Sequence, residues 1–215
     1  MPNVEQFLVQ LSIWAIPTVF AIILHEVMHG TVAKALGDDT AARAGRLTLN
    51  PISHIDPFGT LFLPALLLFL NLPVFGFAKP VPVDFRHLRN PRGGMVAVAA
   101  AGPLTNLTLA VISAFVMRLM LDNLRQPWGP SIALPLAYMA RASVSINVVL
   151  GVFNLFPLLP LDGGRVAAGL MPPQMARSFA RLEPYGFLIL MLLLYTGWID
   201  SVINPIIRTM TRVLL

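Results

Sequence analysis

The sequence predicts an all-α polytopic membrane protein with about five to six membrane helices. A short re-entrant, extended β segment is expected between its first and second core helices. Hydrophobic residues make up 56% of the 215 residues, charged residues only 12%, and the mean hydropathy is +0.75. Long apolar runs recur along the chain, separated by prolines, glycines and basic residues. This composition is typical of polytopic membrane proteins and not of soluble domains.

No long polar linker and no internal repeat divides the chain, so we expect residues 1–215 to form a single integral-membrane domain. The absence of cysteine excludes disulfides and cysteine-ligated metals. The net charge of +5 comes from basic residues in loops, which indicates membrane topology and not nucleic-acid binding. The first apolar run lacks a basic n-region, so we expect a retained span and not a cleaved signal peptide.

The first core helix is predicted at residues 7–36 and contains the pattern H-E-x-x-H at His25, Glu26 and His29. Positions i and i+4 of a helix share a face, so the two imidazoles can bind one metal ion. Glu26 can then act as the general base on water. Two ordinary histidines on an amphipathic helix are the alternative. Because residues 7–24 carry no charge and ionisable groups are costly at membrane depth, the metal site is favoured.

The connection that follows, residues 37–92, is polar at its start and contains a short apolar segment at residues 58–74. That segment barely reaches the roughly 20 residues that a ~30 Å hydrocarbon core requires. Residues 46–49 alternate and are compatible with a short strand, and the prolines and β-branched residues of 75–83 indicate extended chain. We expect His54 to lie next to the metal ligands without binding the ion, or on the substrate side of the site. A histidine at the membrane surface is the alternative.

The second core helix is predicted at residues 93–121. It opens with small residues, which let membrane helices pack closely. Asn106 lies within it, and a buried amide must find a hydrogen-bond partner. A hydrogen bond that joins two helices is the favoured interpretation, and a role at the site is the alternative.

The third core helix is predicted at residues 142–159, and Asp162 follows it directly. Prolines and glycines around this carboxylate prevent a regular helix from continuing. Asp162 is favoured as a third metal ligand, because a pair of histidines needs one and carboxylates are few. An interfacial cap of the next segment is the alternative. An amphipathic loop at 165–184 and a last span at 185–207 complete the prediction.

A metal ion shared by His29 and Asp162 constrains the topology. If every apolar segment up to residue 159 crossed the membrane once, these residues would lie on opposite faces, about 30 Å apart. Residues 37–92 must therefore make no net crossing. Exposed backbone is unfavourable in lipid, so the returning chain must lie against the protein or line a water-filled cavity.

The basic residues divide unequally under this topology, with ten on the side of the site and five on the other. The first set is Lys34, Arg43, Arg46, Lys79, Arg86, Arg89, Arg92, Arg165, Arg177 and Arg181, and the second is Arg118, Arg125, Arg141, Arg208 and Arg212. By the positive-inside rule the site opens toward the cytoplasm and the amino terminus lies outside.

Paired motifs in this chain resemble those of the site-2 protease family of intramembrane zinc metalloproteases. They are His25-Glu26-x-x-His29 in the first core helix and Asn154-x-x-Pro157-x-x-Pro160-x-Asp162-Gly163 at the end of the third. The stretches Asn50-Pro51-x-x-His54-x-Asp56-Pro57 and Ala78-Lys79-Pro80-Val81-Pro82-Val83 look like those of compact prokaryotic members. The resemblance covers residues 22–165, and we find no PDZ or CBS domain.

The resemblance implies that His25, His29 and Asp162 bind one zinc ion and that Glu26 is the base. A conserved asparagine of the family corresponds to Asn154. The implied protein lies in a prokaryotic cell (inner) membrane and cleaves membrane-protein substrates within or near their transmembrane segments. The family's re-entrant β segment agrees with the topology argument.

Two further roles complete this hypothesis. We expect Asn154 to donate to the tetrahedral oxyanion, and the extended chain around Lys79 to bind substrate as an added strand. Histidine and carboxylate ligands also suit divalent ions other than zinc. The sequence leaves open the substrate, a regulatory membrane partner and a homo-oligomer.

A metal-ion or proton transporter that uses the intramembrane His/Asp cluster is the alternative function. It requires further ionisable residues along the bundle, and the interiors of the other apolar segments contain almost none. A di-iron membrane oxygenase needs more histidines than the four present. An intact Glu26 argues against an inactive scaffold.

Overall fold

The computed structural model describes residues 4–70 and 76–215, which form helices joined by turns and irregular segments. Three long helices make up its centre: α1 (Val4–Ala35), α4 (Pro91–Asp122) and α5 (Leu134–Asn154). Two short helices, α2 (Thr40–Arg43) and α3 (Leu63–Phe69), lie between α1 and α4. The chain ends with α6 (Asp162–Leu170), α7 (Pro173–Ala180), α8 (Glu183–Tyr195) and α9 (Trp198–Leu214).

Three helical stretches of the described residues are long and apolar enough to cross a membrane: Leu8–Ala35, Pro91–Asp122 and Gly129–Asn154. Helices α7 and α8, bent by 67° relative to each other, make a fourth if they are counted as one broken span. The chain is therefore an integral membrane protein. The predicted five to six membrane helices are not confirmed. The predicted β segment is not confirmed either, because no strand occurs in 4–70 or 76–215.

The first two core helices agree with the prediction, and the later elements differ from it. Helix α5 begins at Leu134, not residue 142, because Arg141 interrupts the apolar pattern without ending the helix. The predicted loop at 165–184 instead contains most of α6 and all of α7. The predicted last span, 185–207, is broken at Gly197, whose φ of 69° ends regular helix geometry.

Two smaller predictions fall between α1 and α4. Residues 46–49 form no strand, so the alternation of their side chains did not produce sheet pairing. A strand needs a neighbouring strand to satisfy its backbone groups, and the described part of the chain supplies none there. Residues 71–74 of the predicted apolar segment lie outside the described residues.

The connecting segment, residues 37–90, returns to the end of α1 from which it departs. The Arg89 N–H donates to the Leu36 carbonyl at 3.0 Å, which brings the start of α4 beside the end of α1. Leu88 packs with Ala33 and Val98 in a buried cluster at this junction. The segment thus makes no net passage along α1, as the shared metal ion required.

Small side chains let α4 lie close to both of its neighbours. Ala110 and Ala114 of α4 pack with Val144 and Val148 of α5, and all four are buried. Small residues on membrane helices allow the backbones to approach, which increases van der Waals contact. This close approach places buried polar groups of α1, α4 and α5 within hydrogen-bonding distance of one another.

Candidate metal and catalytic site

His25 and His29 project from one face of α1 into the protein interior. Only 7% and 9% of their surfaces are exposed. Their rings meet edge to face with centroids 4.7 Å apart, and the two Nε2 atoms are separated by 3.1 Å. The i, i+4 spacing of the motif therefore brings both imidazoles to one point, as the sequence predicted.

Asp162 reaches the same point from the first turn of α6. Its Oδ2 lies 3.1 Å from His25 Nε2 and 3.3 Å from His29 Nε2. The glycines that follow it permit this approach. A Cβ on Gly163 would lie 2.1 Å from the Leu155 carbonyl oxygen, so only glycine lets the start of α6 pack against the end of α5.

The outer nitrogens of the two histidines are held by α4. His29 Nδ1 donates to the Val98 carbonyl at 2.7 Å, and a carbonyl can only accept. His25 Nδ1 lies 2.6 Å from Asn106 Oδ1. In the neutral rings both protons therefore sit on Nδ1, and each Nε2 presents a lone pair.

These residues fit a zinc ion. Three acceptor atoms, two imidazole nitrogens and one carboxylate oxygen, converge within 4.8 Å of one another. With Nδ1 protonated, no proton lies between them, so a cation is what relieves their repulsion. Tetrahedral zinc with bonds of about 2.0–2.1 Å holds its ligand atoms about 3.3 Å apart, close to the separations found here.

Gly102 of α4 forms the floor of the cluster. A Cβ at this position would lie 2.4 Å from His29 Nε2 and 2.7 Å from His25 Nε2. Any other residue here would enter the space between the imidazoles. The glycine is therefore required by the site itself and not only by helix packing.

Glu26 faces a different part of the protein. Its Oε2 accepts a hydrogen bond of 2.9 Å from the Val81 N–H, in the connecting segment. The buried Val81 side chain lies against α1, where a Cβ on Gly30 would meet it at 2.8 Å. The carboxylate predicted as the base is thus oriented by backbone that does not belong to the helix bundle.

The other predicted residues are spread around this cluster. Asn106 contacts His25 directly, so it has a place at the site as well as joining helices. Buried His54 donates from Nε2 to the Thr48 carbonyl at 2.9 Å, and its own carbonyl accepts from the Lys79 N–H. His54 and the exposed Lys79 thus belong to the connecting segment. Asn154 ends α5 and donates to the Leu150 carbonyl of its own helix.

Four features of the site escaped the sequence analysis. Asn147 contacts Asn106, Val98 offers its carbonyl, Val81 offers its N–H, and Gly102 leaves the space between the imidazoles open. A buried amide in an apolar helix was the one available signal, and it marked Asn147 as clearly as Asn106. The backbone groups gave no signal in the sequence, because every residue has a carbonyl and every residue but proline has an N–H.

Asp38 ties together the two ends of the connecting segment. Its Oδ1 accepts from the Thr40 N–H at 3.0 Å and from the Thr40 hydroxyl, and its Oδ2 accepts from the Asp84 N–H at 2.8 Å. Burial raises the pKa of Asp38, but these hydrogen bonds and His87 outweigh it, so its pKa lies below the ordinary value. A hydrogen bond from Arg86 likewise lowers the pKa of Asp84.

Comparisons with known proteins agree with this geometry. The sequence profile of peptidase family M50 matches residues 14–129. The chain is 38% identical over 193 residues to YwhC of Bacillus subtilis, named as a candidate zinc metalloprotease, covering 90% of this chain and 84% of that protein. Rip2 of Mycolicibacterium smegmatis, named in the same way, is 32% identical over 176 residues, covering 82% and 64%. These comparisons give no support to a transporter, and no solved structure matches the chain.

Proposed function

This chain belongs to peptidase family M50 and is a zinc metalloprotease, and on that premise we propose that it cleaves membrane-protein substrates within or near their transmembrane segments. The observation that carries the proposal is the buried convergence of two imidazoles and one carboxylate. Both imidazoles of the cluster lie on the first of three apolar helices long enough to span a bilayer. Its catalytic centre would therefore act on peptide bonds that lie in the membrane.

In this mechanism His25, His29 and Asp162 hold the ion. Zinc bound there supplies Lewis-acid chemistry, which makes water more acidic and polarises the peptide carbonyl. Val98 and Asn106 keep the imidazoles oriented through their Nδ1 atoms. Outer hydrogen bonds of this kind fix the tautomer and ring orientation of metal-binding histidines.

Glu26 takes a proton from the attacking water and returns it to the leaving amine. Glu26 directly follows His25 in α1, so its backbone lies on the same helical turn as a proposed metal ligand. One oxygen of the Glu26 carboxylate accepts the hydrogen bond from the Val81 N–H, and the other oxygen is left for water. Asn154 is the proposed amide donor to the oxyanion, which requires its side chain to turn away from the Leu150 carbonyl.

Substrate is proposed to pair with residues 76–84 as an added strand, which would complete the predicted β segment. Backbone N–H groups of Phe77, Lys79 and Val81 point toward the protein, where they donate to Gly59, His54 and Glu26. Alternate residues of an extended chain face opposite edges, so Ala78, Pro80 and Pro82 face outward. Of these three, only Ala78 has an N–H to donate, and the prolines offer their carbonyls alone. A substrate strand can use that outer edge.

The finer topology is also a proposal. We infer a single domain over residues 1–215, a prokaryotic inner membrane, and a site that opens toward the cytoplasm. A count of five to six membrane helices requires two or all three of α3, α8 and α9 to add to the three spans. Because the chain has no cysteine, single cysteines can test the orientation. An impermeant thiol reagent should label Arg125→Cys in intact cells and Arg177→Cys only after permeabilisation, and the opposite pattern would reverse the topology.

Purified wild-type protein, Glu26→Gln and Asp162→Asn test the activity, with Glu183→Gln as an exposed carboxylate control. Zinc content and cleavage of a panel of single-span fusion proteins are measured on the same samples. Glu26→Gln should keep one zinc ion per chain and lose about 10²-fold or more in cleavage. Asp162→Asn should lose zinc and cleavage together. Retained proteolysis in Glu26→Gln would remove the proposed base, and full zinc in Asp162→Asn would remove the proposed ligand.

A further inference from the structure

A row of buried polar side chains leads away from the site between α4 and α5. Asn106 and Asn147 are 0% and 1% exposed, although both lie in apolar helices. Asn106 Nδ2 donates to Asn147 Oδ1 at 2.8 Å, and Asn147 Nδ2 donates to the Ser143 carbonyl at 2.9 Å. Ser143 in turn shares a hydrogen bond with Ser113 through their hydroxyls. The mechanism given above does not use this row beyond Asn106.

The hydrogen bonds of the row have only one possible direction. The Ser143 carbonyl can only accept, so Asn147 must turn its NH₂ group toward it and its oxygen toward Asn106. Asn106 must then turn its own NH₂ group toward that oxygen and toward the Ala21 carbonyl, which lies 3.2 Å away. Its oxygen is left to face His25 Nδ1, 2.6 Å away.

Reversal of either amide would place oxygen against oxygen in a buried site. An unsatisfied buried polar group costs about 1–3 kcal/mol, so the row stays in the direction described. The direction of these hydrogen bonds determines the tautomer of His25. The Asn106 oxygen can only accept, so His25 Nδ1 must carry the proton. His25 Nε2 then keeps the lone pair that a metal ion needs.

We propose that Asn147 is a positioning residue for the metal cluster, which acts through Asn106 to fix the tautomer and orientation of His25. This inference rests on the proposed assignment of His25, His29 and Asp162 as the zinc ligands. His29 needs no such relay, because the Val98 carbonyl belongs to the α4 backbone and cannot turn over. The two imidazoles are thus oriented by different means, and only His25 depends on side chains of α4 and α5.

The test measures zinc affinity of purified protein by competition with a chromogenic chelator. Asn147→Leu keeps the branching and the number of side-chain heavy atoms and removes the acceptor that orients Asn106. It should weaken zinc binding about tenfold, and Asn106→Leu about 10–100-fold. Asn147→Asp should bind zinc within about threefold of wild type, because a buried neutral carboxyl can donate to Ser143 and accept from Asn106. Ser113→Ala is the matched control, since it shortens the row without touching its direction.

A double-mutant cycle distinguishes an effect of Asn147 on zinc binding that passes through Asn106 from a general effect on helix packing. If Asn147 acts through Asn106, then Asn147→Leu should weaken zinc binding no further in the Asn106→Leu background. The cobalt(II) absorption spectrum should change in both single variants and not in Ser113→Ala. Size-exclusion elution at the wild-type volume identifies folded samples, and Asn147→Asp provides the comparison if a leucine variant does not fold.

Three results would overturn the inference: wild-type zinc affinity in Asn147→Leu, an equal loss in Ser113→Ala, or full additivity in the cycle. Failure of the proposed function gives a different result. In that case His29→Ala and Asp162→Asn would themselves keep zinc. If those two variants lose zinc while Asn147→Leu does not, only the relay is wrong.

Discussion

His25 and Glu26 are neighbours on α1, yet two different regions of the molecule hold their side chains. His25 faces α4, where Asn106 contacts it and is itself held by Asn147 of α5 in a buried helix interface. Glu26 faces the connecting segment, where a single backbone N–H of Val81 contacts it. The first region consists of packed helices with 0–1% exposed amides. The second region is the irregular connecting segment, which individual hydrogen bonds hold in place.

The difference separates metal binding from catalysis. Ligands must keep one geometry, and buried helix–helix contacts provide it because every polar group there is satisfied. Glu26, the proposed base, must meet water and substrate, and it lies against the less regular connecting segment. Changes in the α4–α5 region should therefore affect zinc affinity, and changes in the connecting segment should affect turnover while zinc stays bound.

Gly102→Ala should have the largest effect on the helical region. The new methyl group would lie 2.4 Å from His29 Nε2 and 2.7 Å from His25 Nε2, within the space the ion needs. Alanine favours helix over glycine by about 0.5–1 kcal/mol, so α4 itself should persist. We expect zinc affinity and cleavage to fall about a hundredfold or more. Zinc titration and circular dichroism check this, and zinc binding at wild-type affinity would contradict it.

Gly30→Ala applies the same change to the other region. Its methyl group would lie 2.6 Å from Leu47 Cδ2, 2.8 Å from Val81 Cγ1 and 2.9 Å from Ala41 Cβ. Overpacking of this kind costs about 1–3 kcal/mol, and it should push Val81 away from Glu26. We expect zinc affinity to stay within about twofold while kcat falls about tenfold, since small misplacements near a base are costly.

The two alanine variants together test the comparison. Gly102→Ala should lose zinc affinity and cleavage together, whereas Gly30→Ala should lose kcat while zinc stays bound. If Gly30→Ala also loses zinc, the connecting segment supports the ligands as well as the base, and the two regions are not independent.

Asp38→Asn should have a smaller effect, confined to stability. Both carboxylate oxygens of Asp38 accept hydrogen bonds from backbone N–H groups. The side-chain NH₂ of an asparagine here would therefore lie against one of those N–H donors. We expect a loss of about 1–2 kcal/mol at pH 7, measured by thermal unfolding in detergent. Exposed Asp39→Asn is the matched control and should leave the melting temperature unchanged.

The pH dependence of that loss follows from the lowered pKa of Asp38. A carboxyl whose pKa is lower in the folded protein stabilises it above the ordinary pKa, near 4, and this contribution disappears as the pH falls through the lowered value. The gap in melting temperature between wild type and Asp38→Asn should stay constant from pH 7 to pH 5 and narrow below about pH 4. A constant gap down to pH 3 would contradict the assignment.

The comparison also explains which predictions succeeded. The i, i+4 spacing of His25 and His29 and the apolar runs of α1 and α4 are local properties, so the sequence contained them. The return of the connecting segment followed from one constraint, the need to bring Asp162 to the same side as His29. Helix α5 and the region after Asp162 were predicted less well, because the exposed Arg141 does not end α5 and the left-handed turn at Gly197 divides the last apolar run.

The sequence by itself determined the class of protein and the histidine pair, and it led to the proposals of Glu26 as the base and Asp162 as the carboxylate that joins the pair. These follow from composition and from periodicities that one helix imposes on its own residues. Only the tertiary structure decided that Asn106 and Asn147 form a directed row, that Gly102 lies under the imidazoles and that the Val81 N–H holds Glu26. Each of these contacts joins residues at least 41 positions apart. Backbone groups and amides acquire a direction only when packing brings their partners together.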